Sequence, residues 1–169
     1  MNTAIEIERK YIIRKPSLEV LSLQEEYSHS DIEQIYLPAA KGETDRVRRR
    51  EYTDGARYYR TRKLRIDGMS AVETEGEITP EEYSALAIAP EKGTHPIHKT
   101  RHTFLYLGQL FEIDVYPEWQ KSCILETELS SREVQVEFPP FIEVIAEVTG
   151  VKEYSNHSLS RAFPEEICK

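Results

Sequence analysis

With 169 residues, 39% of them hydrophobic and 31% charged, the chain has the size of one domain and enough apolar content for a core without disulfide or metal staples. A formal charge of −8 argues against a general nucleic-acid binder, and no apolar run approaches the roughly 18 residues of a membrane span. Met1 is followed at once by acidic sequence, and Cys123 and Cys168 lack metal-ligand or disulfide-framework spacing, so a cytoplasmic protein is expected. The distribution of charge says more than its sum. Arg46 to Arg65 holds nine basic residues and two acidic ones, in a chain that is otherwise strongly acidic.

Period-two alternation predicts a strand over Ile5–Ile13. Pro16-Ser17-Leu18-Glu19 opens an early helix, and Gln34–Leu37 reads as a short strand ended by Pro38. Asp45–Tyr52 and Arg57–Arg65 form a hairpin about Thr53-Asp54-Gly55, followed by a strand over Ser70–Ile78. Thr79-Pro80-Glu81-Glu82 is a capping box with proline in the first turn, opening a helix toward Ile88. Ile97–Leu107 and Gln109–Tyr116 are strands joined tightly at Gly108, and Cys123–Leu129 is the eighth. A second capping box, Ser130-Ser131-Arg132-Glu133, predicts a helix beginning near Val134, and Ser155 or Asn156 caps a last helix through Ala162. With no linker, repeat or low-complexity segment, residues 1–169 read as a single domain.

Several of these strands carry charges at i and i+2, which is one face of a strand. They are Glu6, Glu8 and Lys10; Arg46, Arg48 and Arg50; Lys63 and Arg65; Glu73, Glu75 and Glu77; Lys99 and Arg101; Glu112 and Asp114; Glu126 and Glu128. The alternate positions are often apolar: Ile5, Ile7 and Tyr11; Phe111, Ile113 and Val115; Ile124. For any single strand a solvated outer face of a β-sandwich is the ordinary reading. Sorting by sign across so many strands favours a closed barrel whose charged face points inward. Such a lumen is costly unless its charges pair with one another, with metal ions or with a charged ligand.

Glu6-x-Glu8-x-Lys10 near the amino terminus resembles the opening signature of the CYTH superfamily, the triphosphate tunnel metalloenzymes. Arg46-Val47-Arg48, Thr61-Arg62-Lys63, Glu73-Thr74-Glu75, Lys99-Thr100-Arg101, Phe111-Glu112-Ile113-Asp114 and Leu125-Glu126-Thr127-Glu128 are similar to that family's later strands, in order. Glu147-Val148-Thr149 and Tyr154-Ser155-Asn156 resemble its closing segment. The resemblance implies an α+β, mainly β fold: an eight-stranded antiparallel tunnel with short helices outside. It also implies Mg2+ or Mn2+ as cofactor and a triphosphate-bearing substrate. The length is most like that of short members acting on inorganic tripolyphosphate.

On that reading Arg46, Arg48, Lys63, Lys99 and Arg101 neutralise phosphates, the arginines in bidentate fashion. Glu6, Glu126 and Glu128 are expected to ligate metal, with Glu73, Glu75, Glu112 and Asp114 as further direct or supporting ligands. Lys10, Tyr36 and Glu8 are the candidate catalytic groups, Tyr36 being expected to reach Lys10. Two ions are expected, one on the phosphates and one beside an attacking water. Ala71 stands where many members have an arginine; Arg50, Arg60, Arg62 and Arg65 are the candidates to replace it. His98 and His102 are expected to face outward, Trp119 to pack, and Arg49 and Arg57 to be solvated. The partner is a small-molecule triphosphate or inorganic polyphosphate, with no membrane and with a homodimer left open. Alternatives are a class IV-type adenylyl cyclase, a thiamine triphosphatase, and a non-catalytic polyphosphate- or nucleotide-binding module.

Overall fold

Strands with one charged and one apolar face leave two solutions, an open sandwich or a tube. The computed structural model, which describes residues 1–168, takes the second. Its strands are β1 (Asn2–Arg14), β2 (Glu25–Leu37), β3 (Glu43–Tyr52), β4 (Gly55–Arg65), β5 (Ser70–Ile78), β6 (Ile97–Tyr106), β7 (Gln109–Val115), β8 (Ser122–Glu128) and β9 (Val144–Glu147). Neighbouring strands are antiparallel in the order β5-β4-β3-β2-β6-β7-β8-β1, and β1 returns to pair with β5, closing an eight-stranded barrel. Closure depends on the length of β1. Residues Asn2–Ile7 pair with β5 and Glu8–Arg14 with β8, while β9 runs along Tyr11–Ile13.

Apolar residues pack on both sides of the wall. Outside, Tyr11, Ile13, Phe104, Phe111, Ile113, Cys123 and Leu125 form one layer, covered by Leu21 and by Val136, Phe138 and Phe141. The short helix α1 (Leu18–Ser22), capped by Ser17, supplies Leu21. A second outer layer of Leu37, Val47 and Tyr83 is covered by α2 (Pro80–Ala87). Inside, Ile12, Tyr36, Ile97, Tyr116 and Ile124 pack with Trp119, Val148 and Leu159, filling the lumen beyond Lys10 and Glu126 on β1 and β8. Leu159 comes from α3 (Asn156–Leu159), capped by Ser155. No helix among the described residues is long and apolar enough to cross a membrane.

The fold corrects several expectations. β2 begins at Glu25, not Gln34, because Glu25-Glu26-Tyr27-Ser28-His29-Ser30-Asp31 carries polar residues on both faces and shows no alternation. β9, only four residues long, gave no pattern. The box at Ser130 closes a turn and no helix follows; Val134, Val136 and Phe138 are half-buried with exposed residues between them, a period of two that suits an extended cover. The last helix ends at Leu159 rather than Ala162. Ile124 shares the inner face with Glu126, as its two-residue spacing requires, and belongs to the lumen filling. The turns match expectation: Gly55 and Gly108 take positive φ, +132° and +76°, where an L side chain is strained.

In α2 the Thr79 hydroxyl accepts from the Glu82 N–H at 3.1 Å, and the Glu82 carboxylate accepts from the Thr79 N–H at 2.7 Å. Thr79→Ala removes one of these contacts at an exposed site. The expected loss is about 1 kcal/mol, read as a lower urea midpoint at unchanged m-value.

Candidate active site

The inward parity of the strands collects the charges in a cavity of about 710 Å³. Glu6, Glu8 and Lys10 from β1, Tyr36 from β2, and Arg46, Arg48 and Arg50 from β3 line it. Lys63 and Arg65 from β4, Glu73 and Glu75 from β5, Arg101, Glu112 and Glu126 complete the barrel side. Gly42 to Thr44 and Gly68 add to it, and the rest of the wall comes from the C-terminal segment, including Thr149, Lys152, Ser155, Asn156 and His157. Those C-terminal residues lie on turns and short helices, where no strand spacing reveals them; Thr149, Ser155 and Asn156 fall in the closing-segment resemblance, whereas Lys152 and His157 have no signal in the sequence. A broader groove of about 970 Å³ lies elsewhere, bordered by Asp31, Glu33, Arg49 and Glu51. None of the buried polar atoms without partners belongs to those four residues, so the lumen is the better candidate.

Inside the lumen, opposite charges on adjacent strands meet. Lys63 Nζ stands 3.0 Å from Glu6 Oε2 and 3.2 Å from Glu73 Oε2. Lys10 Nζ lies 3.0 Å from Glu126 Oε1 and donates to the Tyr154 carbonyl at 3.2 Å. Arg48 donates to Glu75 at 2.6 Å, and the Thr61 hydroxyl donates to the same oxygen at 2.6 Å. Arg101 donates to Asp114 at 2.7 and 2.8 Å and to Glu112 at 2.7 Å.

Burial and crowding displace the protonation equilibria. Burial, helped by the charge of Glu73, pushes Glu6 up to about 7 against the pull of Lys63. Despite burial, Lys10 holds Glu126 down at about 2. Burial followed by the neighbouring Arg46 lowers Arg48 to about 10: this guanidinium has more positive than negative charge around it.

Not every expected residue reaches the cavity. Lys99 and Asp114 form a 2.7 Å pair with side chains 1% exposed, and neither lines the lumen cavity. Lys99 Nζ also stands 3.4 Å from Asn156 Oδ1, which accepts from the Tyr116 hydroxyl at 2.9 Å. The pair thus ties the barrel to α3. Burial lowers Lys99 to about 8, with Arg101 adding to the effect. Glu128 is exposed at the rim, and its carboxyl is raised by burial and then by Glu8, Glu112 and Glu73. Tyr36 sits opposite Arg46 in the register and accepts from Gln34 at 3.1 Å, engaging these rather than Lys10.

Of the candidates to replace the arginine absent at Ala71, Arg60 and Arg62 face outward onto Asp45 at 2.6 and 3.5 Å. Arg50 and Arg65 line the lumen, and Arg65 is the cross-strand partner of Ala71. His98 is exposed, whereas His102 is covered on the outer face, its Nδ1 2.9 Å from the Tyr27 hydroxyl. Trp119 packs, donating to the Pro164 carbonyl at 3.1 Å. Arg49 and Arg57 are half-exposed in surface pairs.

Four unsatisfied atoms distinguish this lumen. Arg46 Nε and Arg48 Nε are buried donors without acceptors, and Glu6 Oε2 and Glu126 Oε1 are buried oxygens that accept no hydrogen bond. The two carboxylate oxygens have only the unaligned charge of a lysine 3.0 Å away. Buried polar groups are nearly always hydrogen-bonded, so the two arginine donors without acceptors mark a place for an anion, in a lumen whose Glu6 and Glu126 are held by lysine charge alone.

No protein-family model and no curated protein matches the chain. Solved structures do. The inorganic triphosphatase NE1496 aligns over 94% of this chain and 96% of its own, with 27% identity and a TM-score of 0.60. The PH1819 protein from Pyrococcus horikoshii OT3 aligns over 75% of this chain and 80% of its own, at 23% identity and a TM-score of 0.57. A Hippeastrum protein, provisionally described as an adenylyl cyclase and revealing a dominant triphosphatase activity, aligns over 75% of this chain and 81% of its own at 18% identity and a TM-score of 0.51. The last two share the fold alone with this chain. The eight-stranded barrel with its few short helices is the CYTH tunnel fold.

Asp114 is the acceptor on which Lys99 and Arg101 both depend. Asp114→Ala leaves Lys99 buried without a carboxylate partner at contact distance, and an expected loss of about 3–5 kcal/mol of stability follows. Equilibrium urea unfolding monitored by tryptophan fluorescence checks it.

Proposed function

We propose that the chain is a CYTH-type phosphohydrolase acting on triphosphates, with inorganic tripolyphosphate as its preferred substrate and Mg2+ or Mn2+ as its cofactor. The observation that carries this reading is the gathering in one lumen of buried arginine donors without acceptors, Arg46 Nε and Arg48 Nε, and of carboxylates held by lysine charge alone, Glu6 and Glu126. The 27% identity with an inorganic triphosphatase over nearly the whole of both chains supports it.

Among the described residues no three His, Cys, Asp or Glu side chains converge as a preformed metal cage. Mg2+ does not require one: it keeps several waters and is held by one or two carboxylates together with substrate phosphates. Glu6 and Glu126, with their unsatisfied oxygens, fit that mode, and the all-oxygen donor set suits Mn2+ equally. A bound ion supplies charge neutralisation on the phosphates and a lowered pKa for coordinated water.

The chain's own residues do the rest. Arg46 and Arg48 offer their free Nε–H groups to phosphate oxygens, and a polyanion beside Arg48 relieves the crowding of positive charge there. Arg101, fixed by Asp114 and Glu112, presents a guanidinium that is already oriented, which limits the entropy lost on binding. Lys63 adds charge from the neighbouring strand β4 and Lys10 from β1. Glu8 is the inner-face residue of β1 without an ion pair among the described residues, and is placed to accept a proton from an attacking water.

The preference for a bare polyphosphate follows from where the cations and rings lie. Cationic side chains on β1, β3, β4 and β6 surround the lumen. At the hairpin end the Tyr52 ring is occupied by Arg50 and Arg57 at 5.1 and 4.9 Å, so it offers no open face for a nucleobase. Phosphate release from tripolyphosphate, thiamine triphosphate and ATP, each with Mg2+ and with Mn2+, tests the proposal. The expected result is a kcat/KM for tripolyphosphate at least tenfold above the others, about 1.4 kcal/mol of discrimination. Arg48→Ala should lower it by tenfold or more. Cyclic AMP as the main product from ATP would move the chain to the cyclase reading, and no turnover with either ion would leave a binding module.

A further inference from the structure

His157 and Glu91 form a dyad at the edge of the lumen that the strand pattern does not include. His157 lies in the first turn of α3 and lines the cavity. Its ring lies 4.9 Å from that of Tyr36, which sits opposite Arg46 in the register. Its Nε2 is 2.6 Å from Glu91 Oε2. The other Glu91 oxygen accepts from Arg161 at 2.9 Å, and the Glu91 N–H donates to the Tyr36 carbonyl at 2.9 Å. The carboxylate is therefore anchored to β2 on one side and to the C-terminal segment on the other. Because a carboxylate only accepts, the proton of this contact belongs to Nε2. No described residue takes Nδ1. His98 makes a contrast: it stands 3.9 Å from Glu33, both largely exposed, and does not line the lumen.

We infer that His157 binds a substrate phosphate through Nδ1–H, adjoining Arg46, and that Glu91 is the residue that positions it. This rests on reading the lumen as a polyphosphate site. With Nε2 committed to Glu91, Nδ1 is the ring nitrogen left to meet a phosphate, and it belongs to a residue of the cavity wall where Arg46 Nε also lacks an acceptor. The ring cannot turn freely, being packed against Tyr36 in a tilted contact and tied to Glu91 at its edge. A donor held in this way binds an anion with little further loss of side-chain entropy. Histidine also differs from the lumen arginines in size: it reaches the phosphate chain from the C-terminal segment without filling the space between strands.

The test is titration calorimetry of tripolyphosphate into the full chain, with Mg2+ replaced by EDTA to prevent turnover, alongside steady-state kinetics with Mg2+. Wild type, Arg48→Ala, His157→Asn, Glu91→Gln and the His157→Asn/Glu91→Gln double variant are compared, with thermal unfolding recorded for each. His157→Asn is expected to raise Kd about tenfold, the effect of one charge-assisted hydrogen bond, and to raise KM more than it lowers kcat. Glu91→Gln is expected to raise Kd about threefold, and the double variant to be no worse than His157→Asn alone, because Glu91 acts through the imidazole. If His157→Asn does not unfold cooperatively, Glu91→Gln carries the test by itself. Binding that Arg48→Ala weakens while His157→Asn and Glu91→Gln leave it unchanged overturns this inference and spares the polyphosphate reading. Additive effects in the double variant overturn the role of Glu91. A wild-type protein that binds no tripolyphosphate overturns both readings.

Discussion

The barrel exists because its buried charges are matched across the ladder, residue to residue. Lys10 faces Glu126 between β1 and β8, Lys63 faces Glu73 between β4 and β5, and Arg101 faces Asp114 between β6 and β7. Each is a direct cross-strand pair on the inner face, where side chains are closest. A lumen lined by one sign would repel itself, and one lined by unmatched charges could not be taken out of water at tolerable cost. Slipping any one of these strands by a single position would carry its charges to the apolar outer face. The charges therefore act as register marks, while the stabilising area lies in the aromatic and aliphatic layers outside the wall and in the filling around Tyr116 and Trp119.

Pairing is complete only in part of the lumen. Around Asp114 every strong charge is satisfied, and Lys99 is so enclosed that it serves as a tie to α3. Toward Arg46 and Arg48 two buried donors lack acceptors, and on the β1 side two carboxylate oxygens have only an unaligned lysine ammonium at 3.0 Å. The same strands thus pass from a sealed structural network to an incomplete one within a few residues. Orphan polar atoms in an otherwise satisfied structure are a strain that a ligand removes.

Much of this was legible because a β-strand has a period of two. Parity alone assigned Glu6, Glu8, Lys10, Arg46, Arg48, Lys63, Glu73, Glu75, Arg101, Glu112 and Glu126 to one surface, and all line the cavity. Parity gives a face but not a depth, so it could not show that Lys99 and Asp114 lie beneath the floor or that Glu128 lies at the rim. It fails where both faces are polar, as in Glu25–Asp31 of β2. The capping box at Ser130 misled because its hydrogen-bonding residues suit a turn as well as a helix, and the alternating segment after it outweighed the local signal. Tyr36 and Arg46, on consecutive strands, meet through the register of β2 with β3, which the short reading of β2 does not fix.

The double use of β1 reaches beyond the site. Its first half is completed by residues near position 70 and its second half by residues near 125 and 145. β2 likewise bridges β3 nearby and β6 some seventy residues away. Native pairing of this kind has a high contact order, and loop-closure entropy must be overcome before the ladder rewards it. During synthesis β1 emerges first yet has no partner for its second half until β8 has left the ribosome. The β3–β4 hairpin, closed by a two-residue turn, forms early by comparison and is also the most cationic part of the chain. Until β5 arrives, Arg46 and Arg48 of that hairpin lack the carboxylates of Glu73 and Glu75, so polyanions meet those two guanidinium groups before the barrel closes.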